Sequence, residues 1–326
     1  MTLDADGVDV LRALGALWHG AFGSWYALFS ATLLRATPLL FLGLAVSLAF
    51  RAGVLNIGAD GQFLAGAVAS TAVALASTGI PAGVAIPAML AAGMLGGTLW
   101  SGVAAFLRWR FGVLEVISTL LLNFVASSLV AWLVRGPLQE PTRAFPQTST
   151  FPSSAQWPFL FRGQRLHLGF ALALAAAIGL WWIVARTATG LRVRAVGAGR
   201  AAAASAGMIG VERTTVGAFL ASGALAGAAG ASEVGGVTHS LYENISPGYG
   251  YTAIAVALVA RLDPRYVIVS AVFFGALQAG AAEMQRSAGV PAPTVSVIVA
   301  VIILGILAAR HFGRGLPGVP SAGGEL

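Results

Sequence analysis

The sequence contains no cysteine, so disulfides, thiolate nucleophiles and cysteine metal sites are excluded. It contains no lysine either; all 19 basic residues are arginine. That removes the P-loop, whose lysine reaches the nucleotide phosphates, and with it Schiff-base chemistry and the kinase lysine. The chain therefore does not hydrolyse ATP by the P-loop route, and if ATP energises it, another subunit supplies that energy. Charge is also scarce. Charged residues are 10% of the 326, against about 25% in soluble domains. Hydrophobic residues make up 57% and mean hydropathy is +0.83. So little charge cannot cover a water-facing surface, which places the chain among integral membrane proteins. Glycine is plentiful, 42 residues, and membrane helices tolerate it because small residues let backbones approach.

The net charge is +7. In a soluble protein such a balance suggests nucleic acid, but these arginines are dispersed and form no basic face. They read better as loop arginines that orient membrane helices. A hydrocarbon core needs about 20 apolar residues as helix, and the uncharged stretches between charges mark the spans. Residues 36–50 form one, extending back through Arg35. Residues 61–107 hold two, separated by a turn near 79–82, where Gly79, Pro81, Gly83 and Pro87 break the run. Residues 116–134, 166–185, 214–232, a short stretch at 250–260, 266–282 and 293–309 complete the set. The expected fold is all-α and polytopic, with about nine transmembrane helices (eight to ten). Residues 1–30, carrying Trp18, Trp25 and Tyr26, read as an interfacial segment. A single transmembrane domain follows at 31–310, then a cytoplasmic tail at 311–326.

Arg108 and Arg110, the group Arg186, Arg192, Arg194, Arg200 and Arg213, the pair Arg261 and Arg265, and Arg310 with Arg314 sit in connections that alternation places on one side. By the positive-inside rule that side is the cytoplasm. The loop 136–165 then lies outside, and the loop 187–213 inside. No cleavable signal peptide is evident, because the start carries Asp4, Asp6 and Asp9 instead of a basic region.

Four features could carry chemistry. The segment Arg51 to Gln62, RAGVLNIGADGQ, places Asn56, Asp60 and Gln62 among glycines near membrane depth. Irregular backbone at that depth is tolerated only when buried in protein or lining a cavity. The segment reads either as a broken or re-entrant helix at a translocation path or as a cytoplasmic turn with Asp60 capping the next helix. The second feature is Gly190 to Met208. Gly197, Gly199 and Ala202 imitate a dinucleotide motif after the strand-like RVRAV, but spans flank both sides and the nearest acid is Glu212. A short Ala-rich helix at about 200–206, stopped by Gly207, fits better. The third is a pair of GxxxG patterns, Gly93 with Gly97 and Gly223 with Gly227, which indicate tight helix packing. The fourth, Ser232 to Tyr251, holds Glu233, His239, Glu243, Pro247 and Gly248. It reads as a broken segment capping the outer mouth rather than a metal site, since no HExxH spacing occurs. No GxSxG is present, so a serine-hydrolase elbow is unsupported.

The segments ATPLLFLGLAVSLAFRAGVLNIGADGQ, FGVLEVISTLLLNFVA, LVRGPLQEP, RAVGAGRAAAASAGM, LASGALAGAAGASEVGGV and SPGYGYTAIAVAL resemble the membrane permease subunits of ABC importers. The group is the branched-chain amino acid and simple-sugar class, and the nucleoside or simple-sugar branch is the nearest. The similarity runs from about Thr32 to Leu307. It implies a non-enzymatic permease in the bacterial inner membrane that moves a small polar solute by alternating access. It further implies a homologous second permease, a cytoplasmic ATPase that holds the ATP and Mg²⁺, and an extracytoplasmic substrate-binding lipoprotein, with no cofactor on this chain. Arg194, Gly197, Gly199, Arg200, Ala201, Ala204, Ser205 and Gly207 would then belong to a coupling helix seated in the ATPase. The family's coupling motif usually reads G-x-N-P-x-A-A-R-Y-A-G. This chain has Gly199 and Arg200 in place of Asn and Pro, and Ala204 and Ser205 in place of Arg and Tyr. The family also opens with an extra N-terminal span. Here that region is short and acidic, so the helix is expected to be missing or the start misplaced. Asn56, Asp60, Gln62, Asn123 and Gln278 are the candidates for the substrate path, as polar groups able to meet hydroxyls. An ion-coupled secondary transporter or channel is the alternative, disfavoured because the spans hold almost no ionisable groups. A membrane-embedded enzyme has too few catalytic side chains to stand.

Overall fold

The structure is a computed structural model that describes residues 7–205, 207, 210–289, 297, 300, 301, 304 and 305. The elements of the described residues are helices. Apart from helices these residues show two isolated antiparallel bridges, Gln147 with Tyr242 and Phe159 with His167. The helices are α1 (Gly7–Phe22), α2 (Leu33–Arg51), α3 (Ala59–Leu75), α4 (Ala82–Phe111), α5 (Glu115–Arg135), α6 (Leu168–Arg186), α7 (Ala188–Ala198), α8 (Arg200–Ser205), α9 (Val211–Glu233), α10 (Tyr249–Val259) and α11 (Pro264–Ala288). A π-helical turn at Ala27–Thr32 leads into α2, and another at Val234–Thr238 extends α9.

Six of the described helices are long and apolar enough to cross a membrane: Ala27–Arg51, Ala82–Phe111, Glu115–Arg135, Leu168–Arg186, Val211–Thr238 and Pro264–Ser287. The chain is a multi-pass membrane protein. The difference from about nine has a physical origin. With 17 residues, α3 falls short of a full crossing, and α10 has only 11. Both begin inside the bundle, as described below. The expected span at 293–309 and the tail at 311–326 lie outside the described residues. The expected turn near 79–82 forms at residues 76–81, where Gly79 takes φ +81°.

The described residues of 33–275 form one compact unit, and those of 1–32 and 276–326 form another. In the larger unit α2 is apolar and buried on nearly every side, as expected of a helix enclosed by its neighbours. The small-residue patterns bring α3, α4 and α9 into backbone contact. A methyl added at Gly97 would collide with the carbonyl of Gly223, one at Gly227 with the carbonyl of Gly93, and one at Gly66 with the backbone of Gly227. Each glycine is therefore the condition for a close approach. In the smaller unit Thr32 donates its hydroxyl to the Ala21 carbonyl at 2.8 Å, and Gly280 leaves room for Leu17. Trp18 and Trp25 stay exposed.

The two ends of the larger unit differ in chemistry. At one end Arg51, closing α2, donates to the Leu262 carbonyl at 2.7 Å in the turn between α10 and α11. Gly197 at the end of α7 packs on the Arg51 carbonyl so closely that no Cβ fits. Phe106 and Trp109 of α4 share a hollow with Glu212 and Arg213 of α9. The described arginine-bearing connections expected on one side thus converge on one face. At the other end the loop after α5 folds over the turn after α3, where Ser154 donates to the Ser77 carbonyl at 3.3 Å.

Candidate functional site

The segment 52–58 leaves α2 at the arginine-bearing end as irregular backbone, and α3 starts at Ala59. Its depth follows from its partners. Asn56 donates to Ser222, 11 residues into α9, and Asn123, eight residues into α5, accepts from the Gly61 N–H. At 1.5 Å per residue these partners stand roughly 12 to 16 Å from that end, about half of a 30 Å hydrocarbon core. The break is therefore a mid-bundle feature, and not a turn at the membrane face.

Its polar groups are satisfied by one another. Asn56 and Gln62 form a reciprocal amide pair at 2.9 and 3.1 Å, and Asn56 also reaches the Ser222 hydroxyl at 3.0 Å. The Asn56 side-chain Oδ1 accepts the Gly58 N–H at 3.0 Å, closing a tight turn. Asn123 accepts from Gly61 at 2.8 Å and donates to the Ile57 carbonyl at 3.0 Å and to the Tyr251 hydroxyl at 3.2 Å. All three amides are buried. They supply the backbone partners that irregular chain needs away from water.

Asp60 is placed differently. One carboxylate oxygen accepts from the Ser246 hydroxyl at 2.7 Å and from the Gly250 N–H at 2.9 Å, so it caps α10 from a neighbouring helix. Asp60 also lines a cavity of about 260 Å³ with Ser127, Ser128, Glu243, Asn244 and Ser246. Two carboxylates, three hydroxyls and an amide in that volume suit a compact solute rich in hydroxyl or N–H groups. Arg135 pairs with Glu243 above the cavity. Gln278, the fifth candidate, lies on α11 in the smaller unit, half-buried. Glu243 was read from the sequence only as part of a segment capping the outer mouth, and Ser222, Ser246 and Tyr251 were not singled out as site residues. Ser246-Pro-Gly ahead of the α10 run was the available signal, since that pattern marks a helix start.

The loop between α5 and α6 is a strap held by backbone hydrogen bonds. The N–H groups of Thr148, Phe151 and Trp157 donate to the carbonyls of Leu241, His239 and Gly235 at 2.8, 2.8 and 2.9 Å. Trp157, within the strap, and His167, at its end, are buried. His167 accepts the Gly169 N–H at 3.1 Å and so caps α6. Burial, and secondarily His239, holds its pKa down at about 4, so the ring is neutral.

In the expected coupling segment, residues 200–205 form α8, and Gly207 takes the left-handed conformation at φ +74°. Ala201, Ala204, Ser205 and Gly207 are exposed. Arg194 and Gly197 lie on α7, and Arg200 opens α8. The stretch RVRAV, strand-like in composition, is helical within α7. Gly199, between the two helices, has extended backbone. Nearby Asp263 accepts from Arg265, and that bond holds its carboxyl below the usual range.

A family described as "Branched-chain amino acid transport system / permease component" matches residues 28–307. The glucose ABC transporter permease protein TsgB13 of Haloferax volcanii is 37% identical, over 96% of this chain and 84% of its own. The guanosine ABC transporter permease protein NupP of Bacillus subtilis is 36% identical, over 91% and 86%. A second protein of that organism, the guanosine ABC transporter permease protein NupQ, is 29% identical over 76% and 79%. No solved structure matches. With the match covering most of its length, the chain belongs to the branched-chain amino acid transport system permease family.

Proposed function

We propose that this chain is the membrane-spanning permease subunit of an ATP-driven importer that carries a nucleoside or simple sugar by alternating access. The observation that carries the reading is the mid-bundle break beside the cavity of Asp60, Glu243 and the three serines. Similarity to permeases named for glucose and guanosine supports the substrate class. Both solutes present several hydroxyl or N–H donors, and the cavity offers acceptors for them. The partner ATPase would hold ATP and Mg²⁺ and grip the exposed α8 on the arginine-bearing face, which is cytoplasmic on this reading. A second permease would cover the apolar outer face of α5, where Leu121, Phe124 and Val125 are exposed. The occurrence of NupP and NupQ in one organism supports such a pair. An extracytoplasmic binding protein would deliver the solute to the strapped end.

The test is purification of the tagged chain from its native membrane, followed by uptake of labelled guanosine and glucose in a deletion strain. An ATPase and a second permease are expected to co-purify, and uptake is expected to fall in the strain. Ion-driven uptake by the purified chain alone in liposomes would instead support the secondary-transporter reading.

A further inference from the structure

Between α6 and α9 lies a groove of about 1030 Å³ that the transport reading does not use. Its walls are largely apolar, with Ile183 on α6 and Leu225 on α9. Two glycines widen it. A methyl added at Gly179 or Gly217 would meet no atom within 4 Å, although at Gly97 or Gly227 it would strike backbone. In the α3–α4–α9 core glycine draws helices together; along this groove it leaves the space open. The end toward α7 is cationic. Arg192 and Arg213 line it, and both are exposed. Neither forms an ion pair with a carboxylate among the described residues. Glu212, the adjacent acid, lines a different hollow, one that Arg213 also borders.

A cleft between two membrane-length helices opens toward hydrocarbon, and charge of one sign at a single end selects an amphiphile with an anionic head. We propose that the groove binds an anionic phospholipid, with one acyl chain between α6 and α9 and the phosphate on Arg192 and Arg213. Basic pockets between transmembrane helices on the cytoplasmic side recognise anionic headgroups in this way. The site is separate from the mid-bundle break, and the proposal stands whichever solute the chain carries.

The test uses the full chain, purified in detergent and stripped of lipid. It is titrated with phosphatidylglycerol, phosphatidylcholine or inorganic phosphate, and read by native mass spectrometry and thermal unfolding. Phosphatidylglycerol is expected to bind and stabilise at concentrations at least about tenfold below phosphatidylcholine, with no effect of phosphate alone. Arg192→Gln with Arg213→Gln is expected to bring the two lipids to near parity. Gly217→Leu, which fills open space, is expected to reduce retention of both lipids while the lipid-free protein unfolds as before. It keeps the test decisive if the arginine variant folds poorly. Equal retention of both lipids by the unaltered chain would overturn the proposal, as would stabilisation by phosphate alone. A photo-crosslinker at position 217 that captures a second permease or the ATPase in native membranes, and no lipid, would overturn it too.

Discussion

Asn123 makes three hydrogen bonds in one buried place, and removing it leaves the Gly61 N–H and the Ile57 carbonyl without their partner. Each such buried group costs about 1–3 kcal/mol. Asn123→Ala is therefore expected to lower the unfolding midpoint in detergent, while Ser127→Ala on the same helix leaves it nearly unchanged. Asp60 separates cap from cavity. Asp60→Asn keeps an oxygen for Ser246 and Gly250 but removes the charge, so folding is expected to persist while uptake falls by about tenfold or more, the range of a charged hydrogen bond. An unchanged uptake rate would place the solute elsewhere. His167 gives a pH signature. Its folded pKa of about 4 lies below the ordinary 6.5, so the unfolded chain takes up the proton first. The stability it confers is complete above about pH 6.5 and declines as pH falls toward 4, by up to roughly 3 kcal/mol. His167→Gln is expected to flatten that slope in thermal unfolding between pH 7.5 and 4.5. The types and places of Asn56, Asp60, Gln62 and Asn123 were readable from sequence, because uncompensated polar groups between apolar runs stand out. Their pairings were not, since Ser222 lies 166 residues from Asn56 and nothing local encodes that distance.

Among the elements, the glycine patterns were the most readable. Gly93, Gly97, Gly223 and Gly227 occur at one-turn spacing, and the structure places them backbone to backbone. Gly97→Val is expected to destabilise the bundle by about 1–3 kcal/mol, as overpacking does. Gly102→Ala, on the same helix and nearest to Leu220 at 3.6 Å, is expected to be almost neutral in the same unfolding assay. Residues 200–205 were legible as a helix from four alanines and the Gly207 stop. Their neighbour α7 was not, because its 11 residues mix glycine, threonine, valine and arginine without a clear apolar face. α10 was found where its apolar run lies, but its mid-bundle start depends on Asp60, which comes from another part of the chain.

For the whole molecule, the two chemically distinct ends set the topology. Arg51, the α7 region, the α10–α11 turn and the Arg213 end of α9 gather on one face, and the strap covers the other. The chain has no cysteine, so single introduced thiols report sidedness without background. Ser153→Cys is expected to react with an impermeant maleimide in intact cells, and Ala204→Cys only after permeabilisation. The reverse pattern would invert the assignment and remove α8 from the reach of a cytoplasmic ATPase. The strap itself was invisible to pattern reading for a reason that has a consequence. It is fastened mainly through main-chain N–H and carbonyl groups of Thr148, Phe151, Trp157 and their partners, and such bonds ask little of the side chains that point outward. Outward-facing positions there can change while the fastening stays intact, so the surface of that end can be remodelled without rebuilding the helices beneath.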